Sequence, residues 1–165
     1  MNYMKIIPCD IANGEGVRVT IFVSGCNHHC SGCQNPQTWD VAAGNPFVED
    51  TMQELLDLIR PNYIRGLTFS GGDPLFVQNR LIVGYICERV RKEFGDTKDI
   101  WMWTGYEWDD IKDWDHLKYV DVLVDGPYIE AQRDISLPWA GSRNQRVIDV
   151  KQSMKKNEIV LWKEN

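Results

Sequence analysis

The chain has 165 residues, 43% of them hydrophobic, and its 18 basic and 24 acidic side chains give a formal net charge of −6. This length suffices for one domain with a buried core, and we expect a single domain over residues 1–165. The acidic balance excludes a general nucleic-acid binder, so a small molecule or a protein is the expected partner. Neither a signal peptide nor a bilayer-length apolar stretch is recognisable, and the five cysteines are unevenly placed, so we expect reduced thiols in the cytoplasm.

Hydrophobic periodicity predicts alternating strands and helices along the chain. β-branched residues at every second position predict a strand over residues 17–23. An apolar helical face predicts a helix over residues 49–60, and a second apolar stripe predicts a longer helix that ends at Phe94 before Gly95. The other predicted elements are strands over residues 67–69, 100–103, 120–124, 146–150 and 158–162, and a short polar helix over residues 107–118.

The unusual residues follow the carboxyl ends of predicted strands, in segments 26–33, 71–74, 104–106 and 125–128. Strands separated by helices predict right-handed crossovers and a parallel sheet. The carboxyl ends of such strands form the active face of a (β/α) barrel, but roughly four to six strands are too few to close an eight-stranded barrel. We therefore expect an α/β fold, a partial, open (β/α) barrel with parallel strands, whose open side admits a large molecule.

A loop directly after the first predicted strand contains Cys26, Cys30 and Cys33, spaced C-x3-C-x2-C. Thiolates select zinc, copper(I) or iron–sulfur clusters. No fourth ligand is obvious, and a four-iron cluster held by three cysteines leaves one iron open, whereas a structural zinc site closes with four ligands. Two alternatives remain: a zinc knuckle completed by His28 or His29, and a redox-active dithiol at Cys30 and Cys33.

The cysteine loop resembles the cluster loop of the radical S-adenosylmethionine enzymes. Further landmarks, in the same order along the chain, are similar to those of the activating proteins of anaerobic ribonucleoside-triphosphate reductases, which are organic radical-activating enzymes. The resemblance covers nearly the whole chain, from residue 10 to about residue 150. Its landmarks are Asn13-Gly14-Glu15-Gly16 with Arg18, the three cysteines, Ser70-Gly71-Gly72-Asp73-Pro74, Trp101 to Tyr106, Val124-Asp125-Gly126, and Gly141 to Gln145.

The resemblance implies an open barrel of the radical S-adenosylmethionine type, one [4Fe-4S] cluster and S-adenosyl-L-methionine as cofactors. It implies that the cluster is held by Cys26, Cys30 and Cys33. It further implies that the cofactor's amino group binds at Gly71, Gly72 and Asp73, where a closely approaching backbone and one carboxylate supply the needed chemistry. Its nucleoside part would touch Gly32 and Gln34, which flank the last cysteine. No catalytic side chain is assigned.

The implied function is that of an oxidoreductase that cleaves S-adenosylmethionine reductively to a 5′-deoxyadenosyl radical and generates a glycyl radical on a large anaerobic reductase subunit. An external electron donor such as flavodoxin is implied as a second partner, and no membrane or nucleic acid is. Two alternatives stay open. The chain could activate another glycyl-radical enzyme, such as a formate-lyase, or it could be a non-enzymatic zinc or dithiol interaction module.

Several other conspicuous residues are expected to be structural. Trp101 and Trp103 are predicted to lie in the core, and Cys87 is predicted to be a small buried side chain on an apolar helical face. Cys9 receives no role. His116 is expected on the solvated surface.

Overall fold

A single mixed sheet organises the computed structural model, which describes residues 1–163. Its strand order is β3-β1-β2-β4-β5-β6-β7. The strands are β1 (Asn2–Asp10), β2 (Arg18–Val23), β3 (Asn45–Pro46), β4 (Gly66–Gly71), β5 (Asp99–Trp103), β6 (Val122–Asp125) and β7 (Arg146–Asp149), and the α-helices in the described range are α1 (Glu49–Ile59), α2 (Arg80–Phe94), α3 (Trp108–Ile111) and α4 (Val150–Lys156).

The middle of the sheet is parallel, as expected. β2 pairs with β4, β4 with β5, and β5 with β6, all in parallel, and α1, α2 and α3 lie in the three connections between them. The α/β prediction is therefore confirmed for the centre of the sheet. The predicted strand over residues 17–23 is β2, shorter by one residue at its start.

The edges of the sheet are antiparallel, so the expectation of an all-parallel sheet is wrong there. β1 pairs antiparallel with both β2 and β3, and β7 pairs antiparallel with β6. No strand was predicted over the nine residues of β1. Lys5, Pro8 and Cys9 interrupt its alternation of apolar and polar residues, and its pairing depends on strands elsewhere in the chain, which sequence periodicity does not report.

The two long helices agree with prediction, whereas the later elements differ. α1 ends one residue before the predicted boundary, and α2 ends at Gly95, whose φ of 57° is the left-handed value that glycine adopts easily. The polar helix expected over residues 107–118 is split into α3 and a 3-10 helix over Asp115–Tyr119. Within residues 1–163, none of the helices has the length and apolar character to traverse a bilayer.

The carboxyl-terminal elements contain a helix that was not predicted. The strand expected over residues 146–150 ends at Asp149, because the Asp149 side chain accepts a hydrogen bond from the Gln152 backbone N–H (2.9 Å) and caps α4. The tail strand expected over residues 158–162 is reduced to one antiparallel bridge between Leu161 and Ile148.

The two faces of the sheet differ in chemistry. One face packs against the helices in a single apolar cluster that includes Ile21, Phe69, Met102 and Leu123 from the central strands. Since strand side chains alternate between faces, the intervening residues lie on the opposite face. They include polar as well as aromatic side chains, namely Thr20, Thr68, Ser70, Trp101 and Trp103. Of these, Ser70 and Trp103 line the cavity described below.

Candidate cluster and cofactor site

A cavity of about 370 Å³ opens at the carboxyl ends of the parallel strands. The sequence landmarks meet here because β2, β4, β5 and β6 end side by side, and the loop that follows each strand contributes to the wall. The predicted site residues in the wall are Cys26, Cys30, Cys33, Gln34, Gly71, Gly72 and Asp73.

Backbone hydrogen bonds fix the base of the cysteine loop. The N–H groups of Gly25 and Cys26 donate to the carbonyls of Thr38 (2.7 Å) and Trp39 (3.2 Å), which closes the loop on itself. Asn79, a fully buried residue just before α2, donates from Nδ2 to the carbonyl oxygens of Ser24 (2.8 Å) and Asp73 (2.9 Å). One side-chain amide therefore joins the start of the cysteine loop to the loop after β4. Nothing in the sequence distinguished this asparagine.

The environment of the three thiols is closer to that of metal ligands than to that of cysteines in a disulfide framework. All three are free and half-buried, and the Asn35 backbone N–H lies 3.3 Å from Cys33 Sγ as a hydrogen-bond donor. Amide donors to sulfur stabilise thiolates and tune iron–sulfur clusters. Burial raises the pKa of the Cys26 thiol, opposed by the backbone N–H groups of His28 and His29, so metal binding there displaces a proton.

The histidines next to the cysteines are engaged elsewhere. The His29 ring packs on Trp39 with the ring centres 4.7 Å apart, and the His28 ring meets Tyr106 edge to face at 4.7 Å. Within residues 1–163, no group of three or more His, Cys, Asp or Glu side chains is placed to hold a single metal ion. A tetrahedral zinc site needs ligands at about 2–2.3 Å from one ion. The His28 and His29 rings thus pack on aromatic side chains, which does not favour a zinc knuckle completed by either histidine.

The glycine-rich turn lies directly beside the cysteine loop. The N–H groups of Gly72 and Asp73 donate to the carbonyls of Val23 and Gly25, both at 2.8 Å. A methyl group at Gly72 would lie 2.5 Å from the Gly25 carbonyl oxygen, so only glycine permits this approach. The turn and the cysteine loop therefore form one continuous wall of the cavity.

Segment 126–145 contributes a further part of the cavity wall, which includes two aromatic residues, Tyr128 and Trp139. Trp103 Nε1 donates to the carbonyl of Trp139 (2.8 Å), and both side chains line the cavity together with Tyr128. Gln145 holds the segment closed, because its amide donates to the Gly126 carbonyl (3.0 Å) and accepts from the Gly141 N–H (2.9 Å). The segment from Gly141 to Gln145 thus has a structural role in shaping the cavity.

A four-iron cluster domain is the family model that the chain matches: residues 12–148 match a model described as a 4Fe-4S single cluster domain. The anaerobic ribonucleoside-triphosphate reductase-activating protein of Enterobacteria phage T4 is 48% identical over 147 residues, which cover 89% of this chain and 93% of that protein. The chain belongs to this family of activating proteins. Proteins of the same name from Haemophilus influenzae (45% over 149 residues, 88% of this chain and 96% of that protein) and Escherichia coli K12 (42% over 151 residues, 89% and 97%) agree.

Two of the predicted site residues in this activating-protein chain, Gly32 and Asp73, differ from the others in how they face the cavity. Gly32 is not among the residues that line the cavity; it has a φ of 70°, and a methyl group there would lie 2.7 Å from the Glu130 carboxyl carbon. Asp73 lines the cavity but is only 1% exposed, because its carboxylate is surrounded by the chain's own donors.

The expectations for the tryptophans, the other cysteines and His116 of this family member are confirmed in part. Trp101 is fully buried and Cys87 is fully buried, as predicted, whereas Trp103 is only half-buried and lines the cavity. Cys9 is exposed on β1. His116 is half-buried rather than solvated, since it packs so closely on Gly84 of α2 that a methyl group there would lie 2.3 Å from its Nδ1.

Proposed function

We propose that this chain activates an anaerobic ribonucleoside-triphosphate reductase by generating a glycyl radical on it, with one [4Fe-4S] cluster and S-adenosyl-L-methionine as cofactors. The observation that carries the proposal is the shared cavity, in which three half-buried cysteines adjoin the Gly71-Gly72-Asp73 turn. The names of the relatives support the reductase as the target.

The chain's residues divide the binding tasks between two loops. Cys26, Cys30 and Cys33 would hold the cluster and leave one iron without a protein ligand. The backbone of the turn at Gly71, Gly72 and Asp73 would bind the amino group of S-adenosylmethionine. Gln34 would adjoin its nucleoside part from within the cavity wall, and Gly32 from outside that wall.

A reduced cluster held by these cysteines would supply the one electron needed to cleave a sulfur–carbon bond of S-adenosylmethionine to methionine and a 5′-deoxyadenosyl radical, and transfer of a hydrogen atom from a glycine Cα would then give 5′-deoxyadenosine. The protein's part is to hold the reactants side by side and to keep water away from them. The aromatic wall formed by Trp103, Tyr128 and Trp139 suits this second task. Glycine is a suitable target because no side chain obstructs the approach.

The fold supports a protein as the substrate. We infer that the curved parallel strands form a partial, open barrel of the radical S-adenosylmethionine type, and that its open side receives a loop of the large reductase subunit. The cavity volume of about 370 Å³ is in the range of sites that hold one small molecule. An external donor such as flavodoxin would supply the electron. Free thiols suit the reducing cytoplasm.

The decisive experiment is electron paramagnetic resonance without oxygen. The cluster-loaded, reduced chain is mixed with S-adenosylmethionine and the reductase. A glycyl doublet that disappears when the target glycine becomes alanine is the expected result, and the Cys30→Ala chain, which lacks one cluster ligand, is the matched negative control. Cleavage of the cofactor with no radical on the reductase would contradict the proposal. The same mixture can be prepared with a formate-lyase in place of the reductase. If only the formate-lyase acquires the doublet, the target is a formate-lyase and the radical chemistry is as proposed.

A further inference from the structure

The Asp73 carboxylate is the meeting point of three loops. Its Oδ1 accepts from the Leu75 backbone N–H (2.8 Å), and its Oδ2 accepts from the Gly105 backbone N–H (2.9 Å). The Thr104 hydroxyl lies 3.0 Å from both oxygens, and His28 Nε2 lies 2.9 Å from Oδ2. The last contact is close without being a linear hydrogen bond, so its character is mainly electrostatic.

Three hydrogen-bond donors and the His28 ring therefore surround the carboxylate. An ionised carboxylate has about four lone-pair sites. The Tyr106 backbone N–H donates to Thr104 Oγ1 (3.2 Å), which leaves the threonine hydroxyl hydrogen free to point at Asp73. Because Asp73 is only 1% exposed, a cofactor ammonium group could reach its carboxylate only by displacing one of these neighbours, which costs free energy when a buried N–H or O–H group loses its partner.

His28 is the member of this group that belongs to the cysteine loop, between Cys26 and Cys30. Its ring lies against Gly105 so closely that a methyl group at Gly105 would be 2.5 Å from His28 Cδ2. The Tyr106 ring meets it edge to face, with the ring centres 4.7 Å apart. The imidazole is thus inserted between the loops that follow β4 and β5, and it connects the cysteine loop to both.

We propose that Asp73 is a positioning residue, which acts through His28 and Thr104 to hold the cysteine loop, the glycine-rich turn and the loop after β5 together. The contact with the cofactor's amino group then comes from the backbone at Gly71 and Gly72, and the Asp73 carboxylate does not take part in it. The inference rests on the proposed function for the identity of the cofactor. The connection between the loops does not depend on the cofactor.

Hydrogen exchange measured by mass spectrometry tests the connection before iron is added. His28→Ala and Asp73→Asn should each raise amide exchange in segments 26–33 and 104–106, because Asn presents a donor where Asp73 accepts. His29→Ala is the matched control, since its ring contacts Trp39, and it should leave segment 104–106 unchanged. Unchanged exchange of segment 104–106 in His28→Ala would overturn the inference, even if Asp73→Asn fails to fold.

A double-mutant cycle on the cluster-loaded chain then separates positioning from direct binding. Each single variant should weaken S-adenosylmethionine binding in calorimetry by roughly tenfold, and the double variant should be no weaker than the singles, because both remove the same connection. His28→Gln, which keeps a donor, should recover part of the affinity. Additive losses would make Asp73 a direct ligand and overturn the inference. A wild-type chain that binds no S-adenosylmethionine would contradict the proposed function, and the exchange experiment would still decide the role of Asp73.

Discussion

Arg18 and Asp99 form an ion pair beneath the cavity, with Nη2 and Oδ1 2.6 Å apart and the arginine side chain fully buried. The guanidinium also donates to Thr68 Oγ1 (2.7 Å) and to the carbonyls of Glu15 and Leu67 (both 3.0 Å). The Thr68 hydroxyl in turn donates to the Asn13 carbonyl (2.7 Å), and Asn13 lines the cavity. One buried arginine therefore joins the loop before β2 to the starts of the central strands.

Removal of Arg18 should destabilise the fold strongly. Arg18→Ala leaves Thr68 Oγ1 and the carbonyls of Glu15 and Leu67 without their donor, while Asp99 keeps its ion pair with Arg65 (3.0 Å), and it should lower the free energy of unfolding by about 3 kcal/mol. Arg18→Lys should restore only part of this loss, because an ammonium group cannot reproduce the planar set of donors. Urea unfolding measures the change. Arg60→Ala is the control: Arg60 is half exposed, its ion pairs with Asp57 and Glu93 lie on the surface, and its loss should cost no more than about 1 kcal/mol.

Substitution of the loop cysteines should abolish cluster assembly. Cys26→Ala, Cys30→Ala and Cys33→Ala should each leave the chain without stoichiometric iron and sulfide after anaerobic reconstitution, because a four-iron cluster cannot be held by two thiolates. Cys9→Ala and Cys87→Ala should bind iron normally, since both residues lie outside the cavity wall. Iron and sulfide analysis provides the measurement. Full iron content in any of the first three variants would remove that cysteine from the ligand set.

The buried thiol of Cys87 should make the fold sensitive to alkaline pH. Burial raises the pKa of Cys87 to about 12 from a usual value of 9.0, so the folded chain keeps this proton where the unfolded chain loses it. The contribution is complete below pH 9 and should decline by up to about 1.4 kcal/mol per pH unit as the pH rises towards 12. The measurement is the difference in unfolding free energy between the wild-type chain and Cys87→Ala across this range.

Thiol labelling gives an independent check of the same residue. At neutral pH the exposed Cys9 should react readily with an alkylating reagent, whereas Cys87 should react only after denaturation. Rapid labelling of Cys87 in the folded chain would contradict its burial.

Alanine at Gly72 should separate the glycine-rich turn from the cysteine loop. The added methyl group would lie 2.5 Å from the Gly25 carbonyl oxygen, and backbone atoms cannot yield as a flexible side chain does. We expect a loss of S-adenosylmethionine affinity of at least about tenfold, measured by calorimetry, together with lower cluster occupancy. Gly95→Ala is the control: a methyl group there meets nothing within 4 Å, so its φ of 57° costs stability of about 1 kcal/mol without affecting the cavity.

Elements that depend on local sequence pattern could be predicted without the structure. β2, α1 and α2 follow from β-branched alternation, an apolar helical stripe and the stop signals at Pro61 and Gly95. The cysteine loop and the glycine-rich turn were expected to lie close together, because residues after the carboxyl ends of neighbouring parallel strands meet at one edge of the sheet, and both segments line the same cavity.

The direction of the outer strands and the partners of the buried polar groups could not be predicted from the sequence, because both depend on tertiary contacts. β1 and β7 are antiparallel because of pairing with β2 and β6, and no local periodicity encodes that choice. The contacts of Asn79, His28 and Asp73 could not be predicted from the sequence either, because each of these side chains contacts residues on other loops. A buried polar group takes its role from the partners that folding brings to it, and those partners lie far away along the chain.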